Sequence, residues 1–174
     1  MMEFERWHDF FVLIGTAGAT LVALLFVAVS IGVGVLTDGR QAATRAFFSS
    51  VVVHFSAIFF VAAIGLVPGH RAPFIATMIG GAAVVGGGVA IFTTVELIRH
   101  HWTKYLQDHF GYGLLPVVCY VGMLVSAWMV ATDQPEAMDV LAGSLLVLMI
   151  INIRNAWDLM LSMVRRHANE KKRR

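Results

Sequence analysis

Residues 72–98 read APFIATMIGGAAVVGGGVAIFTTVELI, and this stretch decides the class of fold. It holds one charged residue, Glu96, and exceeds the about 20 apolar residues that a helix needs to cross a bilayer at ~1.5 Å per residue. Backbone groups in hydrocarbon must satisfy one another within the segment, so such a stretch is expected to be helical. The sequence therefore predicts a transmembrane helix here.

Four further stretches are apolar over a comparable length, namely residues 10–36, 46–67, 110–131 and 137–164. The first of them is far longer than the roughly 7–15-residue core of a signal peptide, so we expect it to be retained as a helix. Turn residues or charges separate the stretches, as in Pro68-Gly69 and Asp133-Gln134-Pro135-Glu136. We predict an all-α fold, a polytopic transmembrane helical bundle of five spans over residues 1–164, with a basic tail at 165–174.

The composition excludes most soluble functions. Of the 174 residues, 58% are hydrophobic and 14% are charged, whereas a soluble domain carries roughly a quarter charged residues. Cys119 is the only cysteine, which excludes an intrachain disulfide and a thiolate zinc cluster. The sequence contains no phosphate-binding Gly loop, nucleophile elbow or zincin motif. We therefore predict no catalytic residue, no metal site and no cofactor, and expect a protein that is not an enzyme.

The distribution of basic residues predicts the orientation. If the five spans alternate, ten lysines and arginines lie on one side of the membrane and two, Arg6 and Arg71, lie on the other. The larger set consists of Arg40, Arg45, Arg99, Lys104 and the six basic residues of the tail. Because cytoplasmic loops carry the excess of Lys and Arg, we expect the N-terminus outside and the C-terminus in the cytoplasm. The basic tail is interpreted as a topology signal, not as a nucleic-acid site.

Small residues recur at helical spacing on three of the predicted spans. They are Gly15, Ala19 and Ala23 in the first, Ala76, Gly80, Ala83, Gly87, Ala90 and Thr94 in the third, and Gly122 with Ser126 in the fourth. Small residues let two helix backbones approach closely, so we predict that these stripes pack helices within one protomer or between protomers. A run of three glycines at 86–88 also allows the third helix to bend or unwind. A chain this small favours a symmetric homo-oligomer.

Polar residues inside the spans are costly in a membrane, and they are therefore the candidates for a pore or proton path. The candidates are His54, Glu96, Asn152, Arg154, Asn155 and Asp158. His54 lies roughly 12 Å into the second span and shares a face with Ser50 and Ala57. It either forms a structural hydrogen bond to a neighbouring helix or handles protons, because histidine titrates near neutral pH.

Glu96, Arg154 and Asp158 all fall in the cytoplasmic third of the predicted bundle. Arg154 and Asp158 are four residues apart, which places them on one face of the fifth span. One arginine between two carboxylates could clamp the third and fifth spans together, Arg154 could reach the interface, or the group could line an ion path. Asn152 and Asn155 could equally bridge helices or line a wet cavity. We expect any conduit to be most constrained near the cytoplasmic side.

His100, His101 and His109 lie together in the third connection, but their spacing matches no recognised metal pattern. Bis-histidine haem ligation needs two deep histidines on different helices, and only His54 is deep. The sequence does not exclude haem ligation by one histidine and one methionine.

Two segments carry a resemblance. The run Gly18-Ala19-Thr20-Leu21-Val22-Ala23-Leu24-Leu25-Phe26-Val27-Ala28-Val29-Ser30 and the run Ile153-Arg154-Asn155-Ala156-Trp157-Asp158-Leu159 resemble small bacterial polytopic membrane proteins of no established activity. The resemblance implies the bacterial inner membrane as the location and implies no function.

Three functions fit these features. The first is a homo-oligomeric ion or proton channel or transport protein, in which the polar residues line or gate a conduit. The second is a non-catalytic accessory or assembly subunit that binds other membrane proteins through its small-residue faces. The third is a haem- or quinone-linked membrane redox protein. The lipid bilayer is the partner common to all three.

Overall fold

The computed structural model describes residues 6–32, 41–69, 71–99 and 113–171, and within these ranges the chain is helical without any strand. The helices are α1 (His8–Gly32), α2 (Gln41–Leu66), α3 (Ala72–Arg99), α4 (Leu115–Ala131) and α5 (Ala137–Lys171). The all-α prediction is therefore confirmed. Helix α3 continues without interruption through the three glycines at 86–88, so the alternative of an unwound third helix does not occur.

Local sequence explains where the helices begin and end. Pro116 lies in the first turn of α4, where its missing N–H is not needed. Between α2 and α3, Gly69 has a φ of 78°, which glycine adopts without steric cost. Asp133 has a φ of 55° between α4 and α5, and aspartate is one of the residues that tolerate this conformation. These turns bring α2 against α3 and α4 against α5.

The helices α2, α3, α4 and α5 form a ring in which each packs against the next, and α5 closes the ring on α2. Helix α1 lies outside the ring, against α2 and α5. The turns between α2 and α3 and between α4 and α5 lie at one end of the ring, which we call the turn end. The opposite end, towards which α5 continues to Lys171, is called the basic end.

The surface of the bundle is apolar and part of its interior is polar. Large exposed side chains include Leu13, Val85, Trp128 and Ile150, each more than 60% exposed. Such a continuous apolar exterior is unsuited to water and is what a helix presents to lipid. Among the residues that the structure describes, three helical stretches are long and apolar enough to cross a membrane, namely His8–Ala28, Ala72–Glu96 and Ala137–Asp158. These features indicate a membrane protein.

The two remaining apolar stretches are shorter. They are Ser50–Leu66 in α2 and Leu115–Ala131, which is α4 itself. The 17 residues of α4 extend over roughly 25 Å, which is slightly less than the thickness of the hydrocarbon core. The three longer stretches therefore qualify as membrane spans by length and composition, whereas the number of five spans stays a prediction.

Small residues lie at the closest helix contacts. Towards α4, helix α3 presents Gly80, Ala83 and Gly87; a Cβ atom added to Gly80 would lie 3.7 Å from Ala127 Cβ, and Ala83 is 1% exposed. A Cβ atom on Gly122 of α4 would meet the Ser144 hydroxyl group of α5. The short side chains thus set how closely these helices approach.

The contact between α1 and α2 uses one residue of the predicted first-span stripe and one residue outside it. A Cβ atom on Gly15 would lie 3.0 Å from Ala62 Cβ, and one on Gly18 would lie 3.4 Å from the carbonyl oxygen of Phe55. Ala19 and Ala23, on the following turns of the same stripe, are exposed. Their predicted packing role therefore stays a prediction about contacts outside the protomer.

Candidate functional site

His54 lies in the middle of α2 and faces the interior of the ring. Its side chain is 1% exposed, and the neighbouring turns of the same face carry Ser50 and Val61, which are 5% and 1% exposed. The other buried face of α2, at Phe55 and Ala62, packs against α1. The period of the helix therefore directs His54 away from α1 and towards the centre of the four-helix ring.

Both ring nitrogens of His54 are hydrogen-bonded. Nε2 lies 2.9 Å from Ser50 Oγ, one turn earlier on α2. Nδ1 lies 2.7 Å from the hydroxyl oxygen of Tyr120 on α4. The His54 and Tyr120 rings are 5.4 Å apart between centroids and are inclined at 45°. Tyr120 is 1% exposed, so Ser50, His54 and Tyr120 form a continuous buried chain that links α2 to α4.

Gly86 allows Tyr120 to cross the ring. A Cβ atom added to Gly86 would overlap the outer ring atoms and the hydroxyl oxygen of Tyr120, and one added to Gly87 would lie 3.3 Å from Tyr120 Cβ. The tyrosine side chain therefore lies along the bare backbone of α3 on its way from α4 to His54. A residue larger than glycine at position 86 would displace the tyrosine or separate the helices.

The hydrogen bonds of the Ser50–His54–Tyr120 chain can be donated in either of two directions. A neutral imidazole donates from one ring nitrogen and accepts at the other, while each hydroxyl group can do either. In one arrangement Ser50 donates to Nε2 and Nδ1–H donates to Tyr120; in the other, Tyr120 donates to Nδ1 and Nε2–H donates to Ser50. Exchanging the two arrangements moves hydrogens along the hydrogen-bonded chain while both of its hydrogen bonds are kept. Chemically, the site can therefore receive a proton at one end and release one at the other.

Further buried polar residues lie between this chain and the basic end. Asn152 and Asn155 of α5 are 0% and 3% exposed, and Thr93 of α3 is 5% exposed. Thr93 donates to the carbonyl oxygen of Val89, and Asn152 Nδ2 donates to that of Leu148. The half of the ring interior that faces the basic end thus contains polar side chains on more than one helical turn.

The half of the ring that faces the turn end is apolar. Its fully buried side chains include Ile79, Met123 and Leu141, each no more than 1% exposed. Among the described residues, Ser126 is the one buried polar side chain in this half, and its hydroxyl group donates to the Ala137 carbonyl oxygen at 2.8 Å. The packed apolar layer therefore lies at the turn end, whereas the sequence led us to expect the constriction near the other end, which the distribution of basic residues predicts to be cytoplasmic.

Arg154 and Asp158 form an ion pair within α5 and not a clamp between helices. Arg154 Nε lies 3.9 Å from Asp158 Oδ2, and the two side chains are 61% and 43% exposed. The Arg154 side chain is exposed and points away from the ring interior, so this ion pair does not connect α5 to α3. The structure thus brings together Arg154 and Asp158, and it separates this pair from the interior site of His54.

Metal ligation finds no geometric support in the described residues, which contain no group of three or more His, Cys, Asp or Glu side chains that could hold a metal ion. His100, His101 and His109 lie outside the described residues. Cys119 is buried at 4% exposure, as expected for a small apolar side chain. His54 would have to give up a hydrogen bond to ligate haem, because both of its ring nitrogens are engaged.

A groove of about 410 Å³ lies on the outer surface between α2 and α3. Its lining is almost entirely apolar and includes Val53, Phe60, Met78 and Gly86. Gly86 lines this groove and also contacts the Tyr120 hydroxyl group on the inner side of α3, so it separates the groove from that hydroxyl group. The groove and the buried chain are therefore adjacent, with a glycine backbone between them.

Sequence reasoning found His54 and Ser50 but missed Tyr120. Tyrosine in an apolar span is ordinarily assigned to packing or to the membrane interface, and nothing in its immediate neighbours distinguishes Tyr120. The available signal was indirect: three consecutive glycines on α3 leave space that a large side chain of an adjacent helix can fill. That a tyrosine fills it depends on the register of α3 against α4.

No protein-family model matches the chain, and the searches of curated proteins and of solved structures found no significant similarity.

Proposed function

We propose that this protein is a five-span membrane protein that moves protons through the interior of its four-helix ring, as a homo-oligomer in the bacterial inner membrane. The hydrogen-bonded chain Ser50–His54–Tyr120 carries the proposal. Each of its members can both donate and accept a hydrogen, and the chain lies near mid-bundle, where an ionisable residue is costly unless it has a role.

The proposed proton transfer balances along the chain. A proton arriving at Ser50 Oγ displaces the hydroxyl hydrogen to His54 Nε2. The hydrogen on Nδ1 then passes to the Tyr120 oxygen, which releases its own hydrogen. One proton enters, one leaves, and His54 changes tautomer. The starting arrangement is restored when the two hydroxyl groups rotate and the imidazole ring reorients, which carries its hydrogen from the Ser50 side to the Tyr120 side; return along the hydrogen bonds themselves would cancel the transfer.

The transport cycle that we propose includes opening of the turn-end half. Ile79, Met123 and Leu141 fill this half of the ring, so a proton leaving Tyr120 needs a movement of these side chains. This arrangement corresponds to a gated path, with a polar half towards the basic end and a closed half towards the turn end.

The orientation follows from the charges, with the basic end in the cytoplasm and the turn end outside. Single cysteines at Glu136 and Asn169, in a chain whose Cys119 is replaced by serine, test this in intact cells. A membrane-impermeant maleimide is expected to label the cysteine at position 136 and to spare the one at position 169. Labelling of position 169 and not of position 136 would show that the protein has the opposite orientation.

Outward-facing small residues support the homo-oligomer. Added Cβ atoms on Gly81 and Gly88 of α3 and on Gly143 of α5 would meet nothing within 4 Å. Together with the exposed Ala19 and Ala23 of α1, these positions leave faces on which a second copy can approach closely. Native mass spectrometry of the detergent-solubilised protein measures the number of copies in the assembly directly.

Proton flux into liposomes tests the function. Purified protein is reconstituted with a pH-sensitive dye inside, and a potassium gradient with valinomycin drives uptake. The wild type is expected to acidify the lumen faster than empty liposomes, and Tyr120→Phe is expected to lose most of the flux. Trp128→Phe is the matched control, because Trp128 lies on α4 and is 64% exposed. Absence of flux in the wild type in both directions of the gradient would contradict the proposal.

The accessory-subunit alternative is favoured by the same open faces of α3 and α5, which fit another membrane protein as well as a second copy. Purification from the native membrane in mild detergent distinguishes them. A stoichiometric foreign subunit supports the accessory role, and a lone symmetric assembly supports transport.

The redox alternative is weaker because both ring nitrogens of His54 are hydrogen-bonded. A Soret band in the purified protein would support the haem form of this alternative.

A further inference from the structure

The side chain of Asn152 faces the inside of the ring. It continues a stripe along α5 that contains Leu141, Leu145 and Leu148, and all four residues are at most 1% exposed. The spacing of four, three and four residues keeps the stripe on one face of the helix. Since this is the most buried face of α5, the amide group of Asn152 lies within the bundle and not at the lipid surface.

One end of the Asn152 amide has a partner and the other does not. Nδ2 donates to the Leu148 carbonyl oxygen at 2.8 Å. Oδ1 is fully buried and has no hydrogen-bond donor among the described residues. Exchanging the two atoms would bring an oxygen against the carbonyl oxygen of Leu148, so the orientation of the amide is fixed. Leaving a buried acceptor without a donor costs about 1–3 kcal/mol.

Ser50 points into the same part of the interior from the adjacent helix α2. The contacts of Tyr120 with His54 and of Gly122 with Ser144 place the level of His54 near residues 144–146 of α5. Ser50 lies one turn from that level and Asn152 about two turns, both towards the basic end. The axial offset between the two residues is therefore about one turn, or ~5 Å, and because Asn152 Oδ1 has no hydrogen-bond partner among the described residues, the two side chains do not bond to each other directly.

We infer that Asn152 Oδ1 holds a buried water molecule that bridges towards Ser50 Oγ. The water donates one hydrogen to Oδ1 and has its second hydrogen and its lone pairs available for the Ser50 hydroxyl group, which uses one interaction on His54. Buried waters typically make about three hydrogen bonds to polar groups that would otherwise be unsatisfied. The inference deepens the proposed proton path, since the water would connect the chain to the basic end, but its presence does not require transport.

Water-edited solid-state NMR on the full-length protein in lipid nanodiscs tests the site. The chain contains three asparagines, so selective 15N-asparagine labelling gives three side-chain amides, and Asn152→Leu identifies the Asn152 signal by its loss. Magnetisation is expected to pass from water to the Asn152 amide. An assigned Asn152 amide that receives none would overturn the inference.

A second measurement follows water contact at the ring protons of His54. Asn152→Leu is expected to reduce this transfer at least severalfold, because an apolar side chain of similar size cannot hold the water. Ser126→Ala is the matched control, since Ser126 is buried in the turn-end half and bonds to Ala137; it should leave the transfer unchanged. Unaltered transfer in Asn152→Leu would show that the water is not held by Asn152.

The result is separable from the proposed function. Water at Asn152 without proton flux in liposomes supports the site and contradicts transport. Flux without water at Asn152 contradicts the site alone.

Discussion

The Tyr120 hydroxyl oxygen lies 2.7 Å from Nδ1 of His54, so a side chain of α4 reaches across the ring to a side chain of α2. These helices are not neighbours in the ring, and the contact is made through the space that Gly86 leaves open. The hydrogen bond therefore ties three helices together at one level. Its removal is expected to affect both packing and any transfer of hydrogens.

Tyr120→Phe is expected to lower the free energy of unfolding by about 1–3 kcal/mol, because it leaves Nδ1 of His54 buried without its partner. Unfolding by a denaturing detergent, followed by tryptophan fluorescence, measures the change. A double-mutant cycle with His54→Leu should give a coupling energy of about 0.5–3 kcal/mol. Additive effects of the two substitutions would mean that the hydrogen bond contributes nothing.

Gly86→Ala is expected to destabilise the bundle by about 1–3 kcal/mol, since the added methyl group overlaps the Tyr120 ring. Gly88→Ala is the matched control two residues along the same helix, where nothing lies within 4 Å. The control should be neutral or slightly stabilising, because alanine favours helix more than glycine does. Equal effects of the two substitutions in the same unfolding measurement would contradict the proposed close contact.

Gly122→Ala is expected to cost less than Gly86→Ala. Its methyl group would meet the Ser144 hydroxyl group, which can rotate away at the loss of its 2.8 Å bond to the Val140 carbonyl oxygen. The expected loss is about 1 kcal/mol, the usual net contribution of one hydrogen bond. Gly143→Ala on α5, which meets nothing within 4 Å, is the control. A Gly122→Ala variant less stable than Gly86→Ala would show that the α4–α5 contact is the more rigid one.

Arg154→Gln is expected to change the stability of the protomer by less than about 1 kcal/mol. The Arg154 side chain is 61% exposed and its ion pair with Asp158 lies on one helix, so solvent or headgroup screening weakens it. A buried clamp between α3 and α5 would instead cost about 3–5 kcal/mol when one partner is removed. The same unfolding measurement distinguishes these outcomes, with Asp158→Asn as the paired variant.

The sequence by itself determined the helical class and the membrane character of this protein. Long apolar stretches such as 72–98 have one low-energy state in hydrocarbon, which is the helix, so no tertiary information is needed to predict it. The same argument marked His54 and Asn152 as unusual, because the sequence shows that a polar group lies deep in a span even though it does not show the partners that lower the cost of burying it. The small-residue stripe of α3 could also be predicted from the sequence, since helical spacing alone places its members on one face.

Only the tertiary structure decided which of these residues meet. The pairing of His54 with Tyr120 depends on the register of α3 against α4, because that register places Gly86 beside the tyrosine ring. Of the roles that the sequence left open for Glu96, Arg154 and Asp158, the clamp between helices is not formed by Arg154, because its side chain faces outward and pairs within α5. Spacing along a helix fixes which residues share a face, but the face that another helix covers is set by packing between distant parts of the chain.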